Sequence, residues 1–316
     1  MSPRTAALSI LFTAVFPAWA GQDAAPGREQ AAGALRKAVE FFQNDVSIEG
    51  GYLWRYTADL TLREGEGKAT ATQAWVQPPG TPTVGTSFLQ AYEKTGEPYL
   101  LDAARQTAHA LVKGQLVSGG WQYSIEFDPK KRESYAYRAD SPEAKGQNVS
   151  TLDDNTTQAA LRFLMQMDKT LNFEDEAIHG AVMYGLEKLL AAQYPNGAWP
   201  QRFTGSYNSQ DFPVKPASYP DEWSRTYEGA YYQGYYTFND STINDAIETM
   251  FDAAETYDRA DCREAALRAG DFIILAQMPD PQPGWAQQYD AEMHPAWARK
   301  FEPPAVTGGE SQAVMH

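Results

Sequence analysis

The sequence has one cysteine, Cys262, in 316 residues. A lone thiol excludes an intramolecular disulfide framework and any zinc site built on paired thiolates, so packing must carry the stability. Basic residues are few beside acidic ones, 26 against 41, which gives a formal charge of −15 and a pI near 4.7. Such a surface offers no broad basic face for phosphates, and nucleic acid is excluded as a partner class. Long apolar runs are missing after residue 20, where no stretch approaches the roughly 18 residues of a membrane span. With 43% hydrophobic and 21% charged residues the chain is neither disordered nor fibrous. It is sized for one large domain or two ordinary ones.

Residues 1–20 read as an export signal. Arg4 is a positive n-region, Ala6 to Phe16 is an apolar stretch of h-region length, and Ala18-Trp19-Ala20 is a small-x-small cleavage site. An uncleaved anchor is the alternative. Cleavage would leave residues 21–316 as a secreted or periplasmic domain with no membrane contact, its charge one unit more negative than −15 through the loss of Arg4.

What is present in the mature chain is helical periodicity that repeats. Ala32, Leu35, Val39 and Phe42 mark one apolar face of a helix over residues 29–43. Paired helices are predicted at 84–94 and 99–116, at 156–170 and 175–192, and at 241–257 and 261–277. The pairs end at Gly119-Gly120-Trp121, Gly197-Ala198-Trp199 and Gly284-Trp285, with Gly50-Gly51-Tyr52 as a weaker first member. Such regularity is the mark of stacked supersecondary units. Hairpins that cannot bury both faces alone close side by side into an all-α fold, an α/α toroid whose long irregular loops form a cleft at one end.

The starts of the first helices are richer in chemistry. Ser150-Thr151-Leu152-Asp153-Asp154-Asn155 precedes one and Tyr236-Thr237-Phe238-Asn239-Asp240-Ser241 precedes the next, in matching register. Asp, Asn and Ser at such places cap helices, and that reading stays open. The other reading is that the carboxylates point into one shared mouth, where hard oxygen ligands suit calcium. Farther on, Pro295-Ala296-Trp297-Ala298-Arg299-Lys300-Phe301-Glu302-Pro303-Pro304 is an irregular segment, since two prolines forbid a helix. Arg299 alone would pair with a carboxylate or face solvent.

The strings Ala192-Gln193-Tyr194-Pro195-Asn196-Gly197-Ala198-Trp199-Pro200-Gln201, Thr237-Phe238-Asn239-Asp240, Trp285-Ala286-Gln287-Gln288 and Pro295-Ala296-Trp297-Ala298-Arg299 resemble the family 10 pectate lyases, in that chain order, and with Asp153 the likeness runs over roughly residues 150–311. The resemblance implies a calcium-assisted lyase on an α/α toroid that cleaves polygalacturonate, an acidic polysaccharide, by β-elimination; a monomer is expected. It implies Asp153, Asp154 and Asp240 as metal ligands and Arg299, with Asp240 and Asp153, as the catalytic set. Trp199, Asn239, Gln287, Trp297 and Lys300 are then substrate-binding residues. Free arginine is protonated at ordinary pH, so the scheme needs a guanidinium held partly neutral. Asp154-Asn155, Ser241 and Tyr289 depart from the family pattern, and a last helical pair is expected to be missing. Two alternatives remain: a non-catalytic, calcium-dependent polysaccharide-binding toroid, and a triterpene cyclase, whose Gln-x-x-x-Gly-x-Trp loop recurs at Gln115 and Gln193 but whose Asp-x-Asp-Asp motif is absent.

Overall fold

The structure is a computed structural model that describes residues 27–205 and 211–315, so the expected export signal at 1–20 lies outside the described residues. An opening helix α1 (Arg28–Phe41) runs into a π-turn over Phe42–Val46. Then come α2 (Thr81–Thr95), α3 (Pro98–Gly114), the single turn α4 (Pro129–Arg132), α5 (Thr156–Thr170), α6 (Glu176–Ala191), α7 (Thr242–Tyr257), α8 (Ala260–Ala276) and α9 (Gly308–Ala313). The three pairs predicted from periodicity are α2–α3, α5–α6 and α7–α8. Helix α2 begins at Thr81, three residues before the periodicity shows it, because Pro82 fills the first turn where no N–H is needed.

Each pair packs as an antiparallel hairpin. The first helices form one layer, α2 on α5 and α5 on α7; the second helices form another, α3 on α6 and α6 on α8. The result is an arc of an α/α toroid. Its core runs between the layers through Leu111, Leu161, Phe163, Leu186, Ile243 and Phe272, all essentially inaccessible to water.

Short strands, which helical periodicity cannot reveal, close each repeat. β1 (Arg55–Tyr56) and β2 (Arg63–Glu64) pair near the start of the chain, ahead of the repeats. β3 (Gln73–Trp75), just before α2, pairs antiparallel with β4 (Ser124–Glu126), just after Trp121. β5 (Ser150–Thr151) pairs with β6 (Arg202–Phe203), and β7 (Tyr236–Thr237) with β8 (Gln288–Tyr289), in the same relation to α5–α6 and α7–α8. The last three ladders therefore gather at the end of the arc where α2, α5 and α7 begin.

The glycine-tryptophan motif is the staple that makes the repeats alike. Trp121 Nε1 donates to Leu111 O at 2.8 Å, Trp199 Nε1 to Leu189 O at 2.9 Å and Trp285 Nε1 to Ile273 O at 2.8 Å, satisfying carbonyls near the end of each second helix. Gln115 Nε2 reaches Gly119 O and Ala181 O, and Gln193 Nε2 reaches Gly197 O and Ala265 O, tying each turn to the next hairpin. Gly197 sits at φ 95°, and a Cβ there would lie 2.0 Å from Arg268 O, so no other residue fits.

Candidate active site

The chain leaves β5 and β7 through two nearly superimposable turns. Asp154 (φ 49°) and Asn155 (φ 57°) precede α5; Asp240 (φ 50°) and Ser241 (φ 59°) precede α7. Two consecutive left-handed residues are costly outside glycine, and their repetition marks a backbone held in place by its surroundings. The carboxylates accept from side chains rather than from the first-turn N–H groups, and neither α5 nor α7 has a side-chain cap among the described residues. Capping is thus ruled out as the reason for these carboxylates. Structurally Asp154 corresponds to Asp240, and Asp153 to Asn239.

The two turns pack against one another. Carboxylate oxygens of Asp153, Asp154 and Asp240 all lie within 4.8 Å of each other. Burial, then Asp153 and Asp154, push the Asp240 carboxyl up to about 6. Asp154 is also raised, by burial first and then by Asp153 and Glu66. Few partners hold the trio: Gln77 Nε2 donates to Asp154 Oδ2 at 2.7 Å, Tyr123 Oη to Asp153 Oδ2, and Asn239 Nδ2 to Asp240 Oδ2. Asp153 Oδ1 is buried with no hydrogen bond among the described residues. Three like charges and an orphaned oxygen are what a cation site of hard donors looks like. Calcium sits about 2.3–2.6 Å from its oxygens, so ligands on opposite sides of the ion stand roughly 5 Å apart, a spacing the trio meets. The residues fit the ion.

These groups line a polar cleft of about 350 Å³ together with Glu66, Arg202, Asn239, Gln287, Arg299 and Glu302. A larger cavity of about 800 Å³ opens near Lys113 and Tyr135, away from the carboxylates. Arg299 is held by Glu302: its Nε donates to Glu302 Oε2 at 2.6 Å and its backbone N–H to the same oxygen at 3.0 Å. This pairing drives the guanidinium further into its charged form and lowers the Glu302 carboxyl. This is the opposite of the partly neutral arginine that the resemblance calls for, because a carboxylate three residues on stabilises the protonated guanidinium.

Of the residues singled out in the sequence, Asp153, Asp154, Asp240, Asn239, Gln287 and Arg299 meet in this cleft. Three do not line it. Trp199 is fully buried as the staple of its repeat, with no face left for a sugar. Lys300 is exposed outside the cleft, and Trp297 lines a neighbouring cavity, its ring 5.7 Å from that of Tyr227. Sequence reasoning missed Glu302, Tyr123, Tyr232 and Gln77. Gln77 had a signal: it stands between β3 and α2, the place that Asp153 and Asn239 occupy in the later repeats.

A helical toroid with a polar, carboxylate-lined cleft at the loop end defines the class, an α/α-toroid protein with an acidic group that could hold a cation. The family model described as pectic acid lyase matches residues 115–316, and the chain belongs to that family. A search of curated proteins gives no match. Among solved structures it is similar to a family 10 polysaccharide lyase from Cellvibrio cellulosa, with 21% identity and a TM-score of 0.47 over 74% of this chain and 64% of that one. A mutant of that enzyme in complex with trigalaturonic acid aligns at 21% identity over the same shares, with a TM-score of 0.48. A cellobiose 2-epimerase from Bacillus thermoamylovorans shares the fold at 9% identity and a TM-score of 0.50, over 91% of this chain and 65% of that one. The chain thus spans 64% of the length of the two family 10 structures.

Proposed function

We propose that the protein is an exported lyase that cleaves polygalacturonate by calcium-assisted β-elimination, acting as a monomer. One observation carries this: the Asp153, Asp154 and Asp240 carboxylates share a single cleft with the Arg299 guanidinium in a chain of the pectic acid lyase family. The leader-like pattern at residues 1–20 supports export, and no helix among the described residues is long and apolar enough to cross a membrane.

Five carboxylates line the cleft against two arginines, so a uronate enters only with a counter-cation. Asp153, Asp154 and Asp240 would hold that ion. Bound calcium supplies charge stabilisation on the uronate carboxylate, which makes the C5 proton removable, and it disfavours the protonated form of a neighbouring guanidinium. In the elimination the C5 proton leaves to a base, its electron pair forms the C4–C5 double bond, and the C4–O bond breaks to an oxygen that takes up a proton. Arg299 is the base once substrate has separated it from Glu302; before that, Glu302 holds the guanidinium at the edge of the cleft. Asn239 and Gln287 offer side-chain amides to the sugar hydroxyls.

The test is the ultraviolet band of the unsaturated uronate, followed with polygalacturonate and calcium at alkaline pH. Chelator should abolish it, and Arg299→Ala should lower the rate by about 10²–10⁴-fold, the usual weight of a general base. Absence of the band in the unaltered protein refutes the lyase reading. The Arg299–Glu302 ion pair favours a second reading, calcium-dependent binding of an acidic polysaccharide without cleavage, and binding without a band would establish it.

A further inference from the structure

A second cavity, about 250 Å³, lies directly beside the acidic cleft. The same two stretches of chain wall both. Tyr232, Arg299 and Glu302 line the cleft, while Tyr235, Trp297 and Pro304 line the second cavity.

The chemistry of the two spaces differs. The second is walled by the rings of Trp223, Tyr235 and Trp297, and Trp223 is 43% exposed despite its size. Trp297 Nε1 is buried and makes no hydrogen bond among the described residues, a donor that a ligand oxygen would satisfy. The charged lining consists of Glu222, Glu228 and Asp290, with no lysine or arginine. His294, the one other titratable base there, stands 4.0 Å from Asp290, which offsets any charge it takes. The three carboxylates do not converge on a point: among the described residues only Asp153, Asp154 and Asp240 meet as a metal group. They repel a free uronate, yet they accept hydrogen bonds from hydroxyls. Ligand pockets of about 300–1,000 Å³ enclose drug-sized molecules, so this volume suits one ring rather than a chain.

We propose that this cavity is a subsite for a single uncharged pyranose, stacked on Trp223 and Trp297, next to the position where a uronate is bound. Neutral sugars and methyl-esterified uronates share that chemistry. The proposal takes from the lyase reading only the polymer that carries the ring.

The test is tryptophan-fluorescence titration of the full chain in chelator, so that neither calcium nor turnover contributes. The probes are fully methyl-esterified trigalacturonate, a neutral β-1,4-galactotriose and unesterified trigalacturonate. At least one uncharged trimer should bind ten-fold or more tighter than the unesterified one, and which of them does identifies the source. Trp223→Ala should weaken that binding at least ten-fold. Trp297→Phe, which keeps a ring and loses the N–H, should weaken it three-fold or more. Glu222→Gln with Glu228→Gln should bring unesterified trigalacturonate at least three-fold closer. Equal binding of charged and uncharged trimers, no binding of either uncharged trimer, or indifference to both tryptophan substitutions overturns the proposal. A missing ultraviolet band would sink the lyase reading and leave this result untouched.

Discussion

Removing one carboxylate from the acidic trio should stabilise the protein in chelator and weaken it in calcium. The perturbation is Asp240→Asn, whose amide oxygen can still accept the Asn239 Nδ2 hydrogen bond. Charges 4.8 Å apart at an effective dielectric of about 20 repel by roughly 3.5 kcal/mol. Water reaches the cleft, and Asp240 is exposed on one side, so a net relief of about 1–2 kcal/mol is the expected remainder. For a chain of this size that is a rise in melting midpoint of about 2–4 °C at pH 8 with chelator. Calcium at 100 times its Kd should stabilise the unaltered protein by about 2.7 kcal/mol, and the variant by much less. The two effects have opposite signs, so ordinary loss of packing cannot mimic them. A variant that melts lower than the parent in chelator, with its calcium shift intact, would refute the assignment of these three residues.

Further outcomes follow from the same structure. Glu302→Gln takes a negative charge from beside Arg299 and should move the ascending limb of the pH–rate profile, which follows deprotonation of the base, down by about one unit; a shift upward would show that Glu302 does not hold the guanidinium. Trp199→Phe should lower stability by about 1–2 kcal/mol in denaturant titration through loss of the bond to Leu189 O, with KM for polygalacturonate unchanged. A higher KM at equal stability would restore Trp199 to the sugar site. Asp245, half-buried near Glu248, has its carboxyl raised to about 6 by burial first and Glu248 second. A folded value above the unfolded one favours the protonated form, so its stability contribution is complete below about pH 4 and lost as pH rises through 6. Asp245→Asn should therefore add about 1 kcal/mol at pH 8, after discount for partial exposure, and nothing at pH 4; equal gains at both would mean that charge is not the cause.

Helical periodicity and the recurrence of glycine with tryptophan were enough to place three hairpins and their order, because both signals are local and repeat along the chain. The acidic turns could be located for the same reason: Asp153-Asp154 and Asn239-Asp240 occupy one register before equivalent helices. What those carboxylates do was not local. A capping aspartate and a cleft carboxylate read alike in a string of letters, and only consecutive left-handed residues at Asp154–Asn155 and Asp240–Ser241, with the two turns packed together, bring the three carboxylates into one group. The positions of Trp199 and Trp297, one buried in its repeat and the other at a neighbouring cavity, were likewise a matter of packing, since an indole meets a sugar or a core by the same apolar face. Glu302 lies in plain view three residues after Arg299, yet its grip on the guanidinium depends on an irregular segment whose path no periodicity encodes. Periodic elements are set by short-range preference. The charge state of a cleft is set by which distant residues the fold brings within a few ångströms.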